Sequence, residues 1–208
     1  MEHVPWARDL ARRLLAGPLP RRWAHTQGVA RKAQYVAHIV GGDAEVLICA
    51  AWLHDIGYSP ELAKTGFHPL DGARYLRDIE KADDLLCRLV ACHSYAVIEA
   101  RNRGLANELT NEFPDVEGLV AEALTYCDMT TGPAGDSVDV DTRLNEILSR
   151  YGNGDVVTES IKEARSRIVL STEKVMTIMN NGRVSSPHQF ERNATIACED
   201  QFDVPSAE

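Results

Sequence analysis

Apolar residues recur along this chain at the three-to-four-residue spacing of helices, and no stretch alternates with the period of two that marks a half-buried strand. Trp6 to Ala16 carries Leu10, Leu14 and Leu15 at helical spacing and stops at Gly17, Pro18 and Pro20. A second helix is predicted from Arg21 to Val40, with His25, Val29, Ala33, Val36 and Val40 on one face and Arg31, Gln34 and His38 elsewhere. Gly41 and Gly42 end it, and Asp43 is placed to cap the next. That next segment, Ala44 to Asp55, is apolar nearly all round, the mark of a helix buried on every side, with Gly57 as its stop. Pro69 suits the first position of a helix through Ile79, and another runs from Asp83 to His93 with Leu86, Leu89, Val90 and His93 aligned. The polar, Asn-rich stretch from Glu99 to Pro114 reads as a short helix with a loop, and Val116 to Asp128 as a helix placing Val120, Leu124 and Asp128 in line. A loop over Thr130 to Asp139 leads to helices from Val140 to Tyr151 and from Asp155 to residue 180. In the last, Val157, Ile161, Ala164, Ile168, Val175 and Met179 form a near-heptad stripe, suited to packing on the chain's own core or to a homodimer seam.

The pattern predicts an all-α fold. One domain is expected over residues 1–180, with a chemistry-bearing core at 21–151 and a polar, mobile tail at 181–208. The length of 208 residues suits a single sizeable core. The longest apolar run, Val46 to Leu53, is far short of the ~20 residues that cross a membrane, and the N-terminus lacks the pattern of a secretory leader. A cytoplasmic protein with no membrane partner is therefore expected. The balance of 22 basic against 31 acidic residues gives −9, with no Lys/Arg cluster longer than a pair, which argues against general nucleic-acid binding. An acidic chain that handles phosphates must supply positive charge locally, through arginines or metal ions. The five cysteines lack CxxC spacing and read as reduced, buried small hydrophobes.

Against this background, His25, His54, His93 and Asp128 occupy helix faces that otherwise carry core residues, and Asp55 falls in the last turn of the most apolar helix. An unpaired buried carboxylate costs several kcal/mol, so something must compensate these groups. A shared metal ion explains all of them together, whereas separate structural roles must be invoked one by one. The spacings differ from HExxH and from Cys/His zinc ribbons, so such ligands converge from distant helices. His3, His38 and His188, on a polar face or near the ends, read as non-catalytic; Asp71 is a candidate for orienting a histidine.

Leu53-His54-Asp55-Ile56-Gly57 resembles the signature of the HD-domain metal-dependent phosphohydrolases in its HDIG variant. His25 in Arg22-Trp23-Ala24-His25-Thr26-Gln27-Gly28-Val29-Ala30 is similar to that family's first histidine, and Asp128 in Leu124-Thr125-Tyr126-Cys127-Asp128 to its final aspartate. His68 in Phe67-His68-Pro69-Leu70-Asp71-Gly72-Ala73, and His93 in Ala91-Cys92-His93-Ser94, resemble the extra histidines of binuclear HD proteins. Tyr58 stands where many HD phosphodiesterases carry a lysine, and the GYP motif of one subgroup is absent.

The resemblance implies an HD-type helical bundle with one metal ion on His25, His54, Asp55 and Asp128. A second ion is implied on His68 and His93, with Asp55 bridging the two as the catalytic aspartate. Four imidazoles and two carboxylates suit two divalent transition ions, iron or manganese foremost and zinc also. The implied activity is hydrolysis of a phosphate ester or anhydride in a small phosphorylated metabolite or nucleotide by a metal-activated water. Arg22, one turn before His25, and Arg143, in the helix after the Thr130-Thr131-Gly132 loop, are the candidate substrate-binding residues. Two alternatives share these residues: a mixed-valent di-iron HD-type oxygenase and a non-catalytic ligand-binding HD domain.

Overall fold

The computed structural model describes residues 3–184. It is built from α1 (His3–Leu15), α2 (Pro20–Val36), α3 (Ala44–Leu53), α4 (His68–Tyr75), α5 (Asp84–Cys92), α6 (Ala96–Asn102), α7 (Ala106–Glu112), α8 (Leu119–Met129), α9 (Val140–Arg150) and α10 (Val156–Val184). The expected all-α class is what forms: among the described residues the only extended pairing is an isolated bridge between Thr131 and Ser137. No helix of the described residues is long and apolar enough to cross a membrane.

α3 is the axis of the bundle. It packs against α1, α2, α5 and α8, which is why Leu47, Cys49, Ala50, Ala51 and Leu53 are all buried and why its sequence shows no polar face. Leu10, Leu14, Val29, Ala33, Leu89 and Leu124 close around it in one continuous core. A smaller cluster of Ile98, Met129, Leu144, Ile147, Ala164 and Ile168 joins α6, α8, α9 and α10. The near-heptad stripe of α10 is thereby used within the chain, with Ala164, Ile168, Val175 and Met179 buried. A dimer through α10 would have to use other residues, such as the exposed Leu170 and Met176.

Several boundaries differ from the sequence reading, each for a local reason. α2 stops at Val36, and two tight turns, Ala37–Ile39 and Gly41–Asp43, carry the chain into α3; the Asp43 side chain does not cap that helix. Caps do form at Asp83, Asp139 and Asp155, whose carboxylates accept the N–H groups of Leu85, Thr142 and Val157 at 2.9, 2.8 and 2.8 Å. The stretch 99–114 is two helices: α6 packs on α10, and α7 buries Leu109 in the main core. α10 runs one turn further than expected, to Val184. The remainder of the expected tail, with His188 and Cys198, lies outside the described residues.

Gly57 is not the stop of α3, which ends at Leu53; it follows His54 and Asp55 inside a tight turn over Ile56–Tyr58. Its role is close approach. A Cβ at Gly57 would stand 2.0 Å from the His68 carbonyl oxygen and 2.7 Å from the Gly72 nitrogen, so only glycine lets the start of α4 lie against this turn. Gly28 does the same on α2: a Cβ there would meet the Gly135 oxygen at 2.5 Å, so the 130–139 loop lies directly on that helix.

Because the obstruction at Gly57 is backbone, Gly57→Ala is expected to destabilise the fold by about 2 kcal/mol or more. Gly17→Ala, where an added Cβ meets nothing within 4 Å, should stay within about 0.5 kcal/mol of wild type. Urea unfolding of the two variants checks this, and equal midpoints would show that the turn and α4 are not locked together.

Candidate metal centre

Ionisable side chains carried by five helices meet at one point. His25 comes from α2, His54 and Asp55 from the end of α3, His68 from the first position of α4, His93 from the residue after α5, and Asp128 from α8. All six converge, and all but His68 are more than nine-tenths buried. Their ligand atoms fall into two groups, His25, His54 and Asp128, then Asp55, His68 and His93; within each group the atoms lie within 4.8 Å of one another.

The Asp55 carboxylate links the groups. Its Oδ2 stands 3.3 Å from His54 Nε2 and 3.9 Å from His25 Nε2, while its Oδ1 faces His68 Nε2 at 3.4 Å. His68 Nε2 and His93 Nε2 are 3.3 Å apart. Asp128 Oδ1 stands 3.1 Å from His25 Nε2 and 3.9 Å from His54 Nε2.

The far sides of three rings fix their tautomers. His25 Nδ1 meets the Gly132 carbonyl at 3.1 Å, His54 Nδ1 the Ala51 carbonyl at 2.9 Å, and His93 Nδ1 the Val90 carbonyl at 2.7 Å. A carbonyl only accepts, so each Nδ1 carries the proton, and in a neutral ring Nε2 turns a lone pair inward. Lone pairs then face carboxylate oxygens across 3.1–3.9 Å. His54 Nε2, fully buried, has no hydrogen-bond partner at all. An inward convergence of acceptors is satisfied by cations, and the nitrogen and oxygen donor set is one that transition ions take. These residues fit metal ions.

The local electrostatics agree. Burial alone would raise Asp55, but the Arg22 guanidinium and His54 outweigh it and hold the carboxyl well below its ordinary range. Asp128 is held down in the same way, against burial, by the adjacent His25 and His54 rings. Burial pushes His68 and His93 down, reinforced by their mutual proximity at His68 and by His54 at His93, so both rings are neutral at pH 7. His54 moves up, the pull of Asp55 overcoming burial.

Arg22 belongs to the cluster: its Nη1 donates to Asp55 Oδ2 at 2.7 Å. Arg143, the other expected phosphate ligand, does not touch it. It is buried in the wall of the adjoining cleft, where its Nη1 donates to Glu146 at 2.6 Å. Asp71 orients no histidine; it accepts the backbone N–H groups of Lys64 at 3.0 Å and of Thr65 at 3.0 and 3.1 Å and so shapes the loop ahead of α4. His38 is exposed and bonded to the Tyr35 carbonyl, and His3 pairs with Glu45 at the surface. Burial pushes the thiols of Cys87 and Cys49 up to about 11 and about 12, away from nucleophilic use.

Sequence reasoning gave no role to three residues at this site. Tyr58 is a spacer between a cation and a ligand: its ring stacks on His68 at 3.9 Å, and the Arg22 guanidinium lies over its other face at 4.0 Å. Arg150 lines the cleft beside Arg143. Ser94 donates from Oγ to Asp128 Oδ2 at 2.6 Å. Ser94 and Tyr95 both hold left-handed φ, 51° and 62°, a conformation that costs about 1–3 kcal/mol per residue. The Ser94–Asp128 bond and a 2.6 Å bond between the Tyr95 hydroxyl and Ser171 Oγ fasten that strained pair at both ends. The family signature signals Tyr58 by its departure from lysine; nothing in the sequence signals the backbone twist at Ser94.

A family model described as HD domain matches residues 22–128, a stretch that opens on Arg22 and closes on Asp128. No curated protein and no solved structure matches the chain.

Since Ser94 holds the Asp128 carboxylate from behind, Ser94→Ala is expected to weaken Mn²⁺ binding by roughly 10–100-fold while leaving the helical content intact. Calorimetric titration with Mn²⁺ reads this directly. An unchanged affinity would mean that His25 alone suffices to orient Asp128.

Proposed function

This chain belongs to the HD-domain family, whose members are generally metal-dependent hydrolases, and from that premise we propose that it is a binuclear phosphohydrolase cleaving a phosphate ester or anhydride of a small metabolite or nucleotide. One observation carries the reading: four imidazoles and two carboxylates converge at the floor of a cleft whose walls bear arginines, with His54 Nε2 left without a hydrogen-bond partner. His25, His54 and Asp128 would hold one ion and His68 and His93 the other, and Asp55, with Oδ2 toward the first group and Oδ1 toward the second, would serve both. Nitrogen-rich, mixed coordination favours iron or manganese, with zinc also accommodated. Divalent ions bound there supply Lewis acidity, lowering the pKa of a coordinated water toward about 7 and polarising a phosphoryl oxygen.

The chain's own groups do the rest. The buried floor excludes bulk solvent, so charges there act at low dielectric. Arg22, anchored by one nitrogen on Asp55, has further N–H donors to offer a non-bridging phosphate oxygen. Tyr58, stacked between Arg22 and His68, keeps the phosphate-binding guanidinium and the histidine in register. Arg143 extends the positive wall away from the floor. No serine or thiol nucleophile is required, in keeping with the raised cysteines.

Asp55→Ala is expected to abolish both metal loading and phosphate release from a panel of phosphorylated metabolites, with His38→Ala near wild type in both. His93→Ala should lower the stoichiometry from two ions to one in elemental analysis. The same ligand types serve O₂ chemistry, so O₂ uptake is followed in parallel on iron-loaded protein. Phosphate release by the Asp55 variant at the wild-type rate would falsify the assignment.

A further inference from the structure

Four arginines gather in one place on a chain whose net charge is −9. Arg22, Arg143 and Arg150 line the cleft above the metal-ligand cluster and also a second cavity on its α2–α9 side, of about 370 Å³, which Arg21 completes. The remaining lining of that cavity is His25 with proline and leucine side chains, and no acidic residue faces it.

These guanidiniums are short of counter-charge. Arg143 is 96% buried in its side chain, and Arg143 and Arg150 share one carboxylate: Arg143 Nη1 meets Glu146 Oε2 at 2.6 Å and Arg150 Nε meets Glu146 Oε1 at 3.1 Å. Arg143 Nε is buried without a hydrogen-bond partner. A buried cation paired to half a carboxylate, with an orphaned donor, is costly on its own account. The cost is recovered when an anion arrives, because charge-assisted bonds to guanidinium are among the strongest that a side chain makes. Arg22 is anchored at the floor through Asp55 whereas Arg143 and Arg150 are anchored on Glu146, so the two sets of guanidiniums can serve two anion positions.

We propose that the arginine-lined cavity is a second anion subsite, in which Arg143, Arg150 and Arg21 hold a phosphate or similar dianion remote from the bond that is cleaved, so that the substrate is a doubly phosphorylated molecule. This deepens the phosphohydrolase reading and rests on it for the word substrate; the anion site itself does not depend on metal.

The experiment has two arms. In the first, EDTA-treated full-length protein is titrated calorimetrically with inorganic phosphate. The ionised carboxylates of the empty floor repel an anion there, so binding reports the arginine cavity. Arg150→Gln and Arg21→Gln, both at solvent-accessible positions and checked for helical content by circular dichroism, should each weaken binding by about tenfold, the loss of one charge-assisted hydrogen bond. In the second, Mn²⁺-loaded protein is titrated with methylphosphonate and with α,ω-alkylene bisphosphonates of increasing chain length. At the chain length that spans the two sites, the bisphosphonate should bind at least about tenfold more tightly than methylphosphonate binds at the metal-bearing floor, an advantage that Arg150→Gln removes. Phosphate binding unaffected by both substitutions overturns the subsite. A bisphosphonate no tighter than methylphosphonate at every length overturns its role in substrate recognition. Failure of the parent reading looks different: no phosphate release from any ester by metal-loaded protein, with the metal-free anion binding intact.

Discussion

Two carboxylates and four imidazoles buried against one another define the energetic problem around which this chain is folded. Each histidine that donates Nδ1–H to a backbone carbonyl turns its lone pair to the interior, where Asp55 and Asp128 present only acceptors. One guanidinium, from Arg22, reaches the cluster directly and cannot neutralise two carboxylates. In an interior of low dielectric such a set is stable only with cations among its members. The carbonyl partners therefore matter as much as the ligands. Gly132, Ala51 and Val90 are chosen by backbone position rather than by side chain, and each fixes the protonation that makes its histidine a ligand.

That arrangement constrains the fold around it. Adjacent residues on a helix diverge by about 100°, so His54 and Asp55 could not serve one cluster from mid-helix. α3 ends at Leu53, and the turn after it lets both side chains point the same way. Gly57 then admits the His68 backbone to within contact, and Gly28 admits the loop that carries Gly132 to His25. On the far side, Ser94 and Tyr95 hold two consecutive left-handed residues so that His93 and the bond to Asp128 come from one short turn. Strain is concentrated where the chain must turn sharply and still aim a side chain, as at other functional sites.

Five of the six cluster residues are legible in the sequence because each breaks a pattern, a histidine or aspartate standing in an otherwise apolar helical setting; His68, at a helix start, is signalled only by the family resemblance. α3, the most apolar helix, was legible as the central one for the same reason. What escaped was geometry that periodicity does not encode. α3 ends two residues before Asp55, the end that periodicity predicts, because the turn after it packs Gly57 against α4. Asp71 lies close to His68 in the sequence, yet its carboxylate turns back to the loop and accepts from Lys64 and Thr65. The polar stretch 99–114 hid two helices because Ile98, Ala100, Leu109 and Phe113 are too sparse to show a face until α10 and the core supply the other half. Arg143 and Arg150 lie a helical distance apart, but only the fold shows that both converge on Glu146 beside a metal-ligand cluster.

The distribution of charge gives the site its selectivity. Elsewhere the acidic residues of this chain answer its arginines: Arg74 and Arg77 meet Glu112, Arg103 meets Glu99, and Arg165 meets Asp141. Around the cleft that compensation is sparse, since Arg143 and Arg150 divide one carboxylate and Arg22 meets an Asp55 that three imidazoles also face. A positive cavity set in a protein of net charge −9 attracts an anion small enough to enter it, while the surrounding surface repels a long polyanion that must lie across it. On the proposed reading, a compact, multiply charged phosphate is the ligand that such a distribution of charge would select.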